Sequence, residues 1–143
     1  MPGRILAVAT LVLSCIAVLP IIRESHAMRA RRAALRLHVD GLLGRIMSIL
    51  RRDPPIGLPD ALEEVGRVLP EIQILSSSER DWIIQVIAHL RNAEGRRDNL
   101  RFAWKMMNQA RIAVSKKAKT FEYRELPIPS SLALTTDSLG EPD

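Results

Sequence analysis

The sequence predicts an all-α protein with a single N-terminal transmembrane helix, a basic juxtamembrane helix, a small helical-hairpin or three-helix body and a disordered C-terminal tail. Three observations lead to this prediction. Residues 5–22 form a charge-free apolar run, and apolar side chains recur at helical spacing after it. Aromatic residues make up only 3% of the chain. A core must therefore be built from aliphatic side chains, which favours helix packing over a β-sandwich.

The N-terminal anchor occupies residues 1–22, and its apolar part reads ILAVATLVLSCIAVLPII. A helix of that length is about 27 Å long, close to the ~30 Å hydrocarbon core of a bilayer. Basic residues crowd its C-terminal side: Arg23, Arg29, Arg31, Arg32 and Arg36. Since positive residues stay on the inner side, we expect the N-terminus outside and the body on the cytoplasmic or equivalent inner side.

Two other fates of this segment stay open. Ser25 and Ala27 are small residues at the positions that a signal peptidase reads, so cleavage after Ala27 would release a secreted or envelope protein. The charges of Arg23 and Glu24 argue against that cleavage. The four residues that end at Cys15 resemble a bacterial lipobox, although the apolar run continues for seven residues beyond it. Because it is the only cysteine, no intramolecular disulfide can form.

Residues 23–52 are predicted to form the basic juxtamembrane helix. Its apolar seam has 4-3-4-3 spacing and consists of Leu35, Val39, Leu42, Ile46 and Ile49. The seam indicates either a packing face or a short contact with a partner or a second copy. Gly41 and Gly44 weaken the middle of the helix and predict a break near residues 40–44. The arginines of residues 23–36 either set the topology alone or also bind anionic lipid headgroups.

A linker at residues 53–57 separates this helix from a small helical domain at residues 58–119. Pro54 and Pro55 cannot continue a helix. Pro59 suits the first turn of a short helix predicted over residues 58–69.

Two longer helices are predicted over residues 78–94 and 98–119. Ser76 and Glu79 match a capping box before the first of them. Gly95 ends that helix, and the short connection predicts an antiparallel hairpin with the 58–69 helix packed across it. From residue 120 the helical period lapses. Residues 120–143 are therefore predicted to be an extended or disordered tail, with Pro127 and Pro129 limiting any extended part.

Charge is arranged in blocks. Residues 23–52 are basic, 53–94 acidic, 95–125 basic, and the remainder acidic, within a net charge of +5. Such blocks neutralise one another on folding or meet separate partners. The second basic block could contact phosphates through Arg96, Arg97, Arg101, Lys105, Arg111, Lys116 and Lys117. Alternatively, these cations face the acidic segment or water.

No stretch of the sequence predicts catalysis. Ser76, Ser77 and Ser78 have no neighbouring base and suit helix capping. His26, His38 and His89 share no metal-ligand spacing with one another or with Cys15, and the chain has no glycine-rich phosphate loop. We therefore expect no catalytic residue, no metal, no cofactor and no small-molecule substrate.

The function expected from these features is non-enzymatic. The leading hypothesis is a membrane-anchored helical interaction protein that serves as an accessory or assembly subunit of a larger membrane complex, with membrane lipids and other subunits as partners. The alternative is a membrane-tethered regulatory protein that binds nucleic acid through the basic face of residues 96–117.

Overall fold

The computed structural model describes the backbone of residues 2–133 and the side chains of residues 25–133. Within that range it contains α-helices and no strand, which confirms the predicted all-α class. The helices are α1 (Pro2–Leu50), α2 (Leu58–Val68), a short 3-10 helix (Glu71–Ile74), α3 (Ser77–Asn92) and α4 (Arg97–Ala118).

The chain divides into two compact units, Met1–Ala34 and Leu35–Asp143. We call residues 35–133 of the second unit the body. Among the residues described in full, no helix has the length and apolar character that a membrane crossing needs. The anchor predicted at residues 5–22 lies outside them.

The part of α1 that belongs to the body is continuous through Gly41 and Gly44, so the predicted break is absent. The side chains between the two glycines, Leu42 and Leu43, are buried in the core. Burying a leucine contributes about 1.5–3 kcal/mol, whereas each helical glycine costs about 1 kcal/mol. Packing therefore outweighs the local preference, and the helix continues to Leu50.

The connection to α2 follows the predicted prolines. Gly57 precedes the helix with φ +92°, a left-handed conformation that favours glycine, and Pro59 lies in the first turn. Ala61, Val65 and Val68 point into the core. The 3-10 helix that follows buries Ile72, and no local signal in the sequence indicated it.

The start of α3 confirms the capping box. The Ser76 hydroxyl accepts a hydrogen bond from the Glu79 backbone N–H at 3.5 Å, and the Ser76 N–H donates to Glu79 Oε1 at 3.3 Å. The helix ends before Glu94 and Gly95, both of which have positive φ. The chain then enters α4, which makes the most extensive helix–helix contact of the body with α3. The predicted hairpin is thus present.

The core of the body is shared by the helices. Its fully buried side chains include Leu43 and Ile46 of α1, Val86 of α3, and Trp104 and Met107 of α4. Aliphatic residues fill most of it, as the composition required, and Trp104 is the largest side chain within it. The helices are therefore fixed against one another by a single apolar cluster.

Salt bridges also connect α1 to the later helices. Arg36 Nε lies 2.9 Å from Glu79 Oε2, and Arg45 Nη1 lies 2.6 Å from Glu64 Oε2. Both join the first basic block to the acidic block, so these segments do neutralise each other in the folded body.

Candidate partner-binding groove

An open groove of about 760 Å³ lies between α3, α4 and the segment of residues 125–128. Its apolar lining comes from Trp82, Phe102, Met106, Leu126 and Ile128. Phe102 is 51% exposed although it is a large aromatic side chain. Exposed apolar surface of this kind, collected in a concave site, marks a place where another molecule can bind.

One wall of the groove is formed by residues 125–128. They belong to a longer segment without regular secondary structure, residues 121–132, which we call the strap. Asn108 holds it through both ends of its side-chain amide. Nδ2 donates to the Leu126 carbonyl at 2.9 Å, and Oδ1 accepts from the Leu126 N–H at 3.0 Å. The Trp104 indole N–H donates to the same carbonyl at 3.1 Å. The backbone N–H and carbonyl of Leu126 are thus both hydrogen-bonded to side chains of α4, as they would be to the backbone of a neighbouring strand in a sheet.

The two ends of the strap are also fixed. The Tyr123 hydroxyl donates a hydrogen bond to Asn108 Oδ1, and the Ser131 hydroxyl donates to the Leu50 carbonyl at 2.6 Å. Leu132 is buried in the core. The predicted tail therefore lies against the helices as far as residue 133, and its remainder is outside the described residues.

The ion pair between Arg111 and Asp40 lies against the aromatic ring of Tyr123 in the strap. Arg111 Nε lies 2.7 Å from Asp40 Oδ1, and the guanidinium carbon lies 4.2 Å from the centroid of the Tyr123 ring. Burial raises the pKa of Tyr123 above its ordinary value of 10.0, and this outweighs the opposing effect of Arg111. Tyr123 is therefore neutral at physiological pH and keeps its hydroxyl proton to donate.

The polar lining of the groove consists of Gln85, Lys105, Gln109 and Glu125, together with Asn108. The amides can accept or donate hydrogen bonds, and Lys105 and Glu125 bring one positive and one negative charge to the lining. Such a mixture of an apolar floor and few polar groups suits non-covalent binding.

The described side chains offer little reactive chemistry. Among them, no group of three or more His, Cys, Asp or Glu residues is placed to hold a metal ion. Ser76, which could have suggested a nucleophile, is occupied in capping α3. Compared with known proteins, the chain matches no family model, no curated protein and no solved structure.

The apolar seam of α1 packs against other helices of the same chain. Its five members are all buried in the core of the body: Leu35, Val39, Leu42, Ile46 and Ile49. Of the two interpretations that the spacing allowed, the packing face is the one that the structure contains. As placed here, these residues present no apolar face to a partner.

The arginines assigned to the membrane surface separate into two groups. Arg29, Arg31 and Arg32 are exposed in the first unit, and Arg23 lies outside the residues whose side chains are described. Arg36 differs, because both of its hydrogen bonds to the Glu79 carboxylate, at 2.9 and 3.0 Å, hold it inside the body. It is a structural residue in the body, since a buried carboxylate needs a charged partner.

The seven residues proposed to contact phosphates differ in exposure and in pairing. Arg111 is withdrawn into its ion pair with Asp40, and Arg96 lies 3.8 Å from Glu94. Arg97, Lys105, Lys116 and Lys117 are exposed, and Arg101 is half-buried. The predicted basic face thus loses its central arginine.

Sequence reasoning missed the residues that build the groove, although two signals were present. Phe102 falls out of phase with the buried stripe of α4, so an aromatic residue stands on the polar face. Asn108 falls in phase with that stripe, one turn after Trp104, and is only 1% exposed. A polar residue at a core position must have a partner, which here is the strap.

Proposed function

We propose that this protein is a non-enzymatic, membrane-anchored helical interaction protein that acts as an accessory or assembly subunit of a larger membrane complex. The observation that carries the proposal is the open apolar groove, in whose lining Phe102 is half exposed. Singly exposed apolar side chains such as Ile56 are normal on a protein surface, whereas Phe102 belongs to a set of apolar side chains collected in one concave site, which is where another molecule can bind.

The apolar run of residues 5–22 supports the membrane part of the proposal. It is long enough to span a bilayer, and the arginines that follow it favour an N-terminus outside and a body on the inner side. Partners of the groove would then be other subunits that reach the inner surface of the same membrane. Arg29 and Arg31, which are exposed, would meet the anionic headgroups there.

The structural use of the polar residues supports a binding role rather than catalysis. Glu79 is fully buried and paired with Arg36, while Asp40 is paired with Arg111. Asn108 is occupied by the strap. These groups stabilise the shape of the body and leave the groove lined mainly by side chains that contribute contact area.

The test is the mass of the protein extracted from its native membrane in mild detergent and measured by native mass spectrometry. We expect a complex heavier than the 16.0 kDa chain by at least one other protein. Phe102→Asp should release the chain from the complex. Ile56→Asp is the matched control, because Ile56 is exposed but lies outside the groove. A wild-type chain found only as a 16.0 kDa monomer would refute the proposal.

A further inference from the structure

The arginines and lysines of the body differ in whether a carboxylate neutralises them. Five arginines form salt bridges: Arg36, Arg45, Arg67, Arg96 and Arg111. Over the described part of the chain, Arg97, Arg101 and Lys105 form none. The glutamates of α2 cannot supply partners, because Glu63 and Glu64 are already paired with arginines. The second basic block is therefore left with positive charge that the fold does not use.

These three cations share one face of α4. Arg97, Arg101 and Lys105 are spaced four residues apart, so successive members are about 6 Å apart along the helix axis. We call them the cation row. Lys105 lies in the lining of the groove, and Arg101 precedes it by one turn. The last member of the cation row, Lys105, is therefore part of the groove lining.

The apolar floor runs beside this row. Phe102 and Met106 follow Arg101 and Lys105 by one residue each, and both line the groove. Along α4 the groove thus has a hydrophobic floor and a positive edge with the same one-turn repeat. A helix whose side chains repeat at one turn matches both spacings.

We propose that the groove binds an amphipathic helix of a partner protein, with apolar side chains on its inner face and carboxylates one turn apart along one edge. This inference rests on the proposed function and adds the chemistry of the partner. Glutamates or aspartates at i and i+4 of such a helix have the same ~6 Å spacing as Arg101 and Lys105.

Other binding modes fit the site less well. Residues 2–133 contain no strand, so no sheet edge is available for an extended peptide to join. The phosphates of a nucleic acid would match the cation row but would leave the apolar lining of Met106, Leu126 and Ile128 without a hydrophobic partner. The chain's own residues 134–143 are acidic, but Leu134 and Leu139 are their only large apolar side chains. They would leave most of the floor uncovered.

The experiment is photo-crosslinking of the full chain in its native membrane. A benzoylphenylalanine replaces Gln109, which is exposed and lines the groove, and the crosslinked peptide is sequenced by mass spectrometry. We expect a peptide of another protein, with apolar residues at helical spacing and at least two carboxylates three or four residues apart. The same probe at the exposed Asp60 of α2 should give no such peptide.

Other results would overturn the inference. A crosslinked peptide of this chain, from residues 134–143 or from a second copy, would show that the chain itself fills the groove. A nucleotide or lipid adduct, a peptide without carboxylates, or the absence of any crosslink would equally contradict the proposed partner. If native mass spectrometry still shows a complex in these cases, the proposed function stands and only the partner chemistry is wrong. If no complex exists, the proposed function itself fails.

Charge reversal tests the positive edge separately. R101E/K105E should lower the crosslinking yield about tenfold, because two favourable charge pairs become repulsive. K116E/K117E changes the net charge equally on the same helix but lies outside the groove lining, so its yield should stay within about twofold. Equal losses from both variants, or no loss from R101E/K105E, would contradict a carboxylate edge on the partner. Unchanged circular dichroism confirms that each variant is folded.

Discussion

Replacing Asn108 with alanine should release the strap while leaving the helices folded. The change removes two hydrogen bonds to the Leu126 backbone and one to the Tyr123 hydroxyl. Each such bond contributes about 1 kcal/mol net, and the half-buried strap groups can regain water, so we expect a loss of about 2–3 kcal/mol. We expect the destabilisation to be confined to the strap, because the lost hydrogen bonds all reach strap residues. The Trp104 indole still donates to the Leu126 carbonyl, but no protein group replaces Asn108 as the acceptor for the Leu126 N–H.

Hydrogen exchange measured by mass spectrometry is the assay for the Asn108→Ala chain. A loss of about 2–3 kcal/mol corresponds to roughly 30- to 100-fold faster exchange, since 1.4 kcal/mol is tenfold. That acceleration should appear in peptides covering residues 121–133 and be much smaller in α3. Gln109→Ala is the control, because Gln109 is the exposed neighbour of Asn108 and should change stability by less than about 0.5 kcal/mol. Unchanged exchange of the strap in Asn108→Ala would refute this account of how the groove wall is held.

Three further predictions concern the body. Glu79→Gln should lower the free energy of unfolding in urea by about 3 kcal/mol, because the fully buried carboxylate is the partner of Arg36, whose side chain is only 15% exposed. Glu63→Gln, at an exposed pair, should change it by less than about 0.5 kcal/mol. Tyr123 is the only tyrosine, so its absorbance titration should have a midpoint above 10.0. Its raised pKa contributes stability that is present below pH 10 and lost at higher pH, a loss that Tyr123→Phe should reduce. Gly41→Ala should stabilise the body by about 1 kcal/mol, since nothing lies within 4 Å of the added methyl group. Gly44→Ala should gain less in the same urea titration, because its methyl group would lie 3.2 Å from the Arg111 guanidinium.

Elements with a local signal could be predicted from the sequence. Pro54 and Pro55 end α1, Ser76 and Glu79 begin α3, and Gly95 turns the chain into α4. In each case the cause lies within a few residues of the effect, since capping and proline sterics are local. The predicted end of α1 and the predicted bounds of α3 and α4 are therefore within one or two residues of those in the structure, whereas α1 begins at Pro2, well before the juxtamembrane helix predicted over residues 23–52.

Features that depend on distant contacts could not be predicted. The strap is held by Asn108, which is 18 residues from Leu126, and a side-chain bond to a backbone carbonyl leaves no periodic pattern. The continuity of α1 through Gly41 depends on a core contributed by later helices. The seam that begins at Leu35 had the same ambiguity, because apolar spacing shows that a face is covered but not whether the same chain or a partner covers it.

The charge blocks were predictable in kind but not in detail. The first basic block pairs with the acidic block through Arg36 and Arg45, as mutual neutralisation required. The second basic block contributes only Arg111 to an ion pair with α1 and leaves the cation row without carboxylates among the described residues. The packing of the helices determines which basic block lacks carboxylate partners. Because the second block is the one left largely unpaired, the cation row remains positively charged beside the groove.

The most direct test of the central claim is whether the groove is covered in the native membrane. Gln85, which lines the groove and is exposed, is replaced by cysteine in a Cys15→Ser background, and its alkylation rate by a maleimide is compared between native membranes and the purified chain. We predict a rate at least about tenfold slower in the membrane, because a bound partner excludes solvent from the interface. Ile56→Cys, at an exposed site away from the groove, should react at similar rates in both. Equal rates for the groove cysteine in the two settings would contradict the claim that this protein binds a partner there.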